Sequence, residues 1–122
     1  MVTTVIRKMK TGKAAGPSGV VAKTLKAAGE SGINLVTVLV NAIISSGKIP
    51  GEWDESYIIN FYKDKGEALE RGNYRGLKLL DQVMKALERV LEKKICEMVS
   101  IDEMQFGFMP GRGTTNAIFI LR

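Results

Sequence analysis

The chain has no histidine and one cysteine, Cys96, in 122 residues. An internal disulfide is therefore excluded, as are a Cys/His zinc site and acid–base catalysis by imidazole. Cys96 falls inside a helical pattern, where a small core residue is expected. Acidic residues are scarce at one end: residues 1–50 hold one acid against seven Lys/Arg, and residues 51–122 hold twelve against eleven. The net charge of +5 is thus +6 in the first part and −1 in the second, which favours an anionic partner without naming it. Long apolar runs are also missing. The most apolar stretch, Ile33 to Ile44, is broken by Asn34, Thr37 and Asn41, and the N-terminus has no apolar signal region. Neither a membrane span nor a signal peptide is expected, and the chain reads as intracellular. The four aspartates, Asp54, Asp64, Asp81 and Asp102, are isolated from one another, and no apolar strand leads into an acidic ligand.

The informative stretch runs from Trp53 to Leu80. Ser56 to Tyr62 is an apolar, β-prone run closed by Lys63, and Asn73 to Leu80 is a second short run. The polar connection between them, Asp64 to Gly72, carries Gly66 and Gly72, which predicts a long-looped antiparallel hairpin. Pairing brings Lys63, near the end of one arm, towards Arg75, near the start of the other. A compact ammonium and a planar guanidinium fork together suit a polyphosphate; solvated surface charges are the plain alternative.

Helices are expected on either side. Val2, Val5, Ile6 and Met9 have helical spacing, Val20 to Ala28 is helix-compatible, and Gly29 is placed to stop that segment. A third helix begins near Ser31-Gly32, with Ile33, Val36, Val40, Ile43 and Ile44 on its core face and Leu35 and Leu39 widening it. Gly47 then supplies a C-cap, and Pro50-Gly51 prevents continuation. Trp53 reads as an anchor that seats the hairpin on the helices. Asp81 can cap a long helix, Gln82 to Met98, with Val83, Ala86, Leu87, Val90, Leu91, Ile95 and Met98 as its apolar face. After a break at Ser100 to Glu103 comes a turn-rich loop containing Pro110-Gly111 and Gly113. Thr114 or Thr115 then caps a final short helix, in a segment running to Arg122 that looks cut rather than finished. Phe106 and Phe108 read as packing residues. The fold class is α+β, mostly helical, with one small hairpin between helices.

One tempting motif fails. The stretch Thr11 to Gly19 mixes Gly and Lys, but a phosphate-binding P-loop requires Gly where Arg7 stands and Ser or Thr where Ala14 stands.

Taken in order, three blocks resemble the reverse transcriptases of non-LTR, LINE-like retrotransposons. They are the Gly-Lys turn ending Gly16-Pro17-Ser18-Gly19, then Ile58 to Gly66 with Asn73 to Leu77, and then Gln105-Phe106-Gly107-Phe108-Met109-Pro110-Gly111-Arg112-Gly113-Thr114-Thr115. The resemblance covers nearly the whole chain. It implies a partial reverse-transcriptase domain over residues 1–122, comprising the fingers and the start of the palm. It further implies that Lys63 and Arg75 contact the phosphates of an incoming deoxynucleoside triphosphate. Lys13, Gln105 and Arg112 would then lie near RNA template or DNA primer, with a basic turn and a turn-stabilising arginine as the plain alternatives. Three positions depart from the family: Ser18 and Asn116 stand where Asp is usual, and Asn60 where Pro is usual.

In this family the metal-binding aspartates lie in the palm, downstream of the Gln-Phe-Gly-Phe block. Template-directed nucleotide addition therefore belongs to the intact enzyme with Mg²⁺, and no catalytic residue, metal ligand or cofactor is expected within residues 1–122. The chain alone is expected to be inactive and to depend on the missing palm. The alternatives are a non-catalytic nucleic-acid-binding relic of a degenerate element, and an inert remnant whose exposed apolar surface drives self-association.

Overall fold

The structure, a computed structural model, describes residues 1–121. Contacts divide the chain into two units, Met1–Glu92 and Lys93–Arg122, and α4 runs across the boundary.

In the first unit, α1 (Val2–Lys8), α2 (Ala22–Ala27), α3 (Gly29–Ser46) and the first part of α4 (Gln82–Met98) converge on one apolar cluster. Their sequence periodicity explains the convergence. Val2, Val5, Ile6 and Met9 of the first segment, Ala22 and Leu25 of the second, Val36, Val40 and Ile43 of the third, and Ala86, Leu87 and Val90 of the fourth recur at three- and four-residue intervals and are all buried. Trp53, in a short 3-10 turn at Gly51–Asp54, packs against this cluster as expected of an anchor. Gly47 closes α3 with φ +66° and donates its N–H to the Ile43 carbonyl, the left-handed cap that a side chain would resist. α3 begins at Gly29, earlier than the Ser31-Gly32 start read from the sequence. Leu35 and Ile44, expected on the core face, are exposed, because the covered stripe consists of Val36, Val40 and Ile43 flanked by the half-buried Ile33 and Leu39.

Strands β1 (Tyr57–Tyr62) and β2 (Tyr74–Leu79) form the expected antiparallel hairpin, with Tyr57 opposite Leu79 and Tyr62 opposite Tyr74. β1 continues unbroken through Asn60, which stands opposite Gly76. Asp81 caps α4 as expected, its Oδ1 accepting the Val83 N–H at 2.8 Å.

In the second unit, α4 continues past Lys93, a turn-rich stretch follows, and α5 spans Thr114–Ile120. Here the apolar pattern outruns the burial. Ile95 and Met98 continue the α4 stripe but are exposed, and so is Cys96, which is not the core residue that its helical setting implied. Phe108 is fully exposed with φ +62°, so of the two phenylalanines expected to pack only Phe106 is partly covered. The cap of α5 also differs from expectation. Gly113 occupies it, and the Asn116 side chain reaches back to accept the Gly113 N–H at 2.9 Å, so Thr114 is the first helical residue.

Candidate nucleotide and nucleic-acid interface

Successive side chains of a strand alternate between faces, so the register sorts the hairpin. One face carries Tyr57, Ile59 and Phe61 with Leu79, Leu77 and Arg75; the other carries Ile58, Asn60 and Tyr62 with Lys78, Gly76 and Tyr74. Lys63 follows β1 in phase with Phe61, and its N–H donates to the Asn73 carbonyl at 2.8 Å, so the ladder extends one pair beyond the strands. Lys63 and Arg75 therefore sit on the same face as diagonal neighbours, a spacing within reach of long side chains. The Lys63 ammonium donates to the Gly72 carbonyl at 2.9 Å. An ammonium has three N–H donors, so this bond fixes the group at the mouth of the hairpin and still leaves capacity for an anion.

The same face of the hairpin floors a groove of about 530 Å³. Ile59, Phe61, Leu77 and Leu79 make the floor, and Lys10, Lys13, Lys85 and Arg89 border it together with Gln82; Lys78, whose side chain belongs to the other face, meets it along the strand. No acidic side chain is among its lining residues. Sequence reasoning singled out Lys13 as a site residue and not Lys85 or Arg89, because only the fold shows which charges on the polar face of α4 meet the groove.

The groove wall is built by a close approach. Gly16 is buried against the link between β2 and α4, where a Cβ would stand 2.7 Å from the Leu80 carbonyl and the Asp81 nitrogen. Gln82, also buried, donates from Nε2 to the Ala14 carbonyl at 3.1 Å. These two contacts hold the Gly-Lys turn against the start of α4. Ser18, where relatives are expected to carry Asp, accepts the Val20 N–H at 3.2 Å and so stiffens the end of the turn.

Gln105 and Arg112, the other two candidates, lie in the second unit. Gln105 donates from Nε2 to the Gly107 carbonyl at 2.9 Å. The Arg112 guanidinium donates from Nη1 to the carbonyls of Glu103 and Gln105 and stands 5.6 Å from the centre of the Phe106 ring. These bonds fold the loop on itself and border a hollow of about 510 Å³ with Asn116 and Phe119. Lys13, Lys63 and Arg75 thus lie in one unit, Lys63 and Arg75 on one hairpin face and Lys13 on the border of the groove, while Gln105 and Arg112 have local partners in the other.

No protein-family model matches the chain. Curated proteins do. The "Probable RNA-directed DNA polymerase from transposon X-element" of Drosophila melanogaster is 29% identical over 121 residues, which is 96% of this chain and 13% of that protein. The RNA-directed DNA polymerase from mobile element jockey of the same organism is 26% identical over 117 residues, 93% of this chain. The Retrovirus-related Pol polyprotein from type-1 retrotransposable element R1 of Bradysia coprophila is 26% identical over 117 residues, 92% of this chain.

The chain is similar to RNA-directed DNA polymerases of non-LTR retrotransposons.

That similarity extends over almost the whole chain, as the order of its three motif blocks implied. The chain spans about 13% of the length of the curated relatives it matches. Among the described residues, no three His, Cys, Asp or Glu side chains group closely enough to hold a metal ion. Likewise, no helix of the described residues is long and apolar enough to cross a membrane.

Proposed function

We propose that residues 1–122 are a fingers portion of a retrotransposon reverse transcriptase, with Lys63 and Arg75 gripping the triphosphate of an incoming deoxynucleotide. The observation that carries this reading is the shared hairpin face, on which the two cations stand beside a groove whose border is basic and free of acids. Two cations of different shape divide the work. Arg75 offers a planar fork for two phosphate oxygens, and Lys63 adds a compact charge whose position the Gly72 carbonyl already restricts.

The groove is the surface on which an RNA template or DNA primer strand would lie. Phosphates would meet Lys10, Lys13, Lys85 and Arg89 at the border, and the apolar floor would accept the faces of bases. Arg112 has five N–H donors, of which the loop takes those of Nη1, so the guanidinium retains donors for a backbone phosphate near the Gln105 loop. On this reading phosphoryl transfer falls to a palm outside residues 1–122, the chain works inside the cell with its nucleic acid, and residues 1–122 are inactive alone.

The test is a titration of the purified chain with fluorescent single-stranded RNA across a salt series, beside a primer-extension assay. Affinity should fall steeply with salt, and Lys13→Ala should lower the slope of log K against log salt by about one. No primer should be extended. Binding insensitive to salt and to Lys13→Ala rejects the groove, and extension abolished by Lys63→Ala rejects the assignment of catalysis to a separate palm. A second reading, a nucleic-acid-binding relic without polymerisation, draws on the pairing of a basic groove with the lack of a metal-donor cluster among the described residues. Sequencing the transcript beyond the codon for Arg122 separates the two: an in-frame palm supports the polymerase, and a stop codon supports the relic.

A further inference from the structure

Three consecutive carbonyls of the hairpin loop are each taken by a side chain from the strand ends. Tyr62 donates its hydroxyl to the Gly66 carbonyl, Asn73 donates Nδ2 to the Glu67 carbonyl at 2.8 Å, and Tyr74 donates its hydroxyl to the Ala68 carbonyl at 2.8 Å. The loop backbone lies directly on the Asn73 amide, since a Cβ on Gly66 would stand 2.5 Å from its Nδ2. Tyr62 and Tyr74 face each other across the ladder on the side opposite Arg75, their ring centres 5.5 Å apart. Because the Lys63 N–H donates across the ladder to the Asn73 carbonyl, the Tyr62–Tyr74 pair next to them is of the non-hydrogen-bonded kind, in which side chains come closest.

We infer that Tyr62, Asn73 and Tyr74 are positioning residues for Lys63, holding the loop in order before any ligand arrives. The chain of contacts is short. The carbonyl that fixes the Lys63 ammonium belongs to Gly72, in the turn Arg71–Asn73, and Asn73 is the residue tied to Glu67. Releasing the three loop carbonyls frees that turn, and with it the point that holds the ammonium on the Arg75 face. A lysine left free must lose its side-chain freedom, and the loop its backbone freedom, at the moment of binding; a latched loop has lost both beforehand. The device works through the tyrosine hydroxyls, while the rings pack against each other, so Tyr→Phe separates the two roles. This inference rests on the reading that Lys63 and Arg75 take a triphosphate.

The experiment titrates deoxythymidine triphosphate into the full chain, Lys63→Ala, the double variant Tyr62→Phe/Tyr74→Phe, and the triple variant, with amide hydrogen exchange read on residues 64–72. The double variant should bind about three- to tenfold more weakly, a loss expected when ordering is shifted to the binding step. Its loop amides should exchange faster. On the Lys63→Ala background the same two substitutions should cost no further affinity, an outcome that a general structural role would not produce. Binding lost with Lys63→Ala but unchanged in the double variant overturns this inference alone, as does an equal loss on both backgrounds. No binding by the wild-type chain, or binding indifferent to Lys63→Ala, overturns the triphosphate reading and this inference with it.

Discussion

Among the described residues, every buried side chain lies between Val2 and Val90, and none is buried between Lys93 and Leu121. Both stretches are rich in apolar residues and both contain helix, so composition does not separate them. The difference lies in what the apolar residues meet. In the first unit, four segments with matched periodicity supply Ile6, Val40, Ala86 and their neighbours to one cluster. In the second, Met98, Phe108, Phe119 and Leu121 face solvent, and order comes from local bonds: Arg112 to the carbonyls of Glu103 and Gln105, Gln105 to Gly107, and Asn116 to Gly113. A core resists change through burial, whereas a bonded loop resists only as far as a few exposed hydrogen bonds allow.

The contrast is tested most strongly in the core. Ile6 is 1% exposed, and Ile6→Ala should destabilise the chain by about 2–5 kcal/mol in chemical denaturation, through lost burial and the cavity left behind. A cost below about 1 kcal/mol would mean that the four-segment cluster is not the stabilising feature of the first unit. Gly16→Ala comes next, at about 1–3 kcal/mol, because the new methyl meets the backbone at Leu80 and Asp81 rather than a side chain that can move aside. The same substitution should weaken single-stranded RNA binding, since the Gly-Lys turn carrying Lys13 would be pushed off the start of α4. Stability lost without any change in RNA affinity would separate the turn's structural role from the groove. Asp81→Ala removes a buried cap from α4 and should cost about 0.5–2 kcal/mol, visible as fraying in the exchange of the Val83 amide.

Much of the first unit was legible in the sequence because local rules and tertiary packing agree there. The bounds of α4 follow from an Asp cap and an unbroken 3.6-residue pattern, and the hairpin follows from two β-prone runs separated by a Gly-bearing connection. Periodicity identifies which face of a helix is apolar, but not how far along the helix something covers it. For that reason Val90 and Met98 look alike in sequence, while only the first is buried. Leu35 fails for a related reason, since one residue of angular error on α3 moves a side chain from the edge of the stripe to solvent. The groove was only partly readable. Lys13 stood out beside its glycines, whereas Lys85 and Arg89 depend on the contact between Gln82 and Ala14, which joins segments 68 residues apart. The latching of Gly66, Glu67 and Ala68 left no sequence signal beyond two tyrosines and an asparagine at the strand ends.

The smallest expected effect is the one that tests the second unit. Phe119 is 80% exposed on α5, so Phe119→Ser exchanges a solvent-facing ring for a hydroxyl and should change unfolding free energy by no more than about 0.5 kcal/mol. The substitution is informative because the same ring, if it were packed in solution, would cost several times that amount to remove. A large loss would mean that residues 93–121 bury apolar surface by associating with another copy, a state that should then weaken on dilution. A near-zero effect that does not depend on concentration leaves the local bonds around Arg112 and Asn116 as what orders this unit.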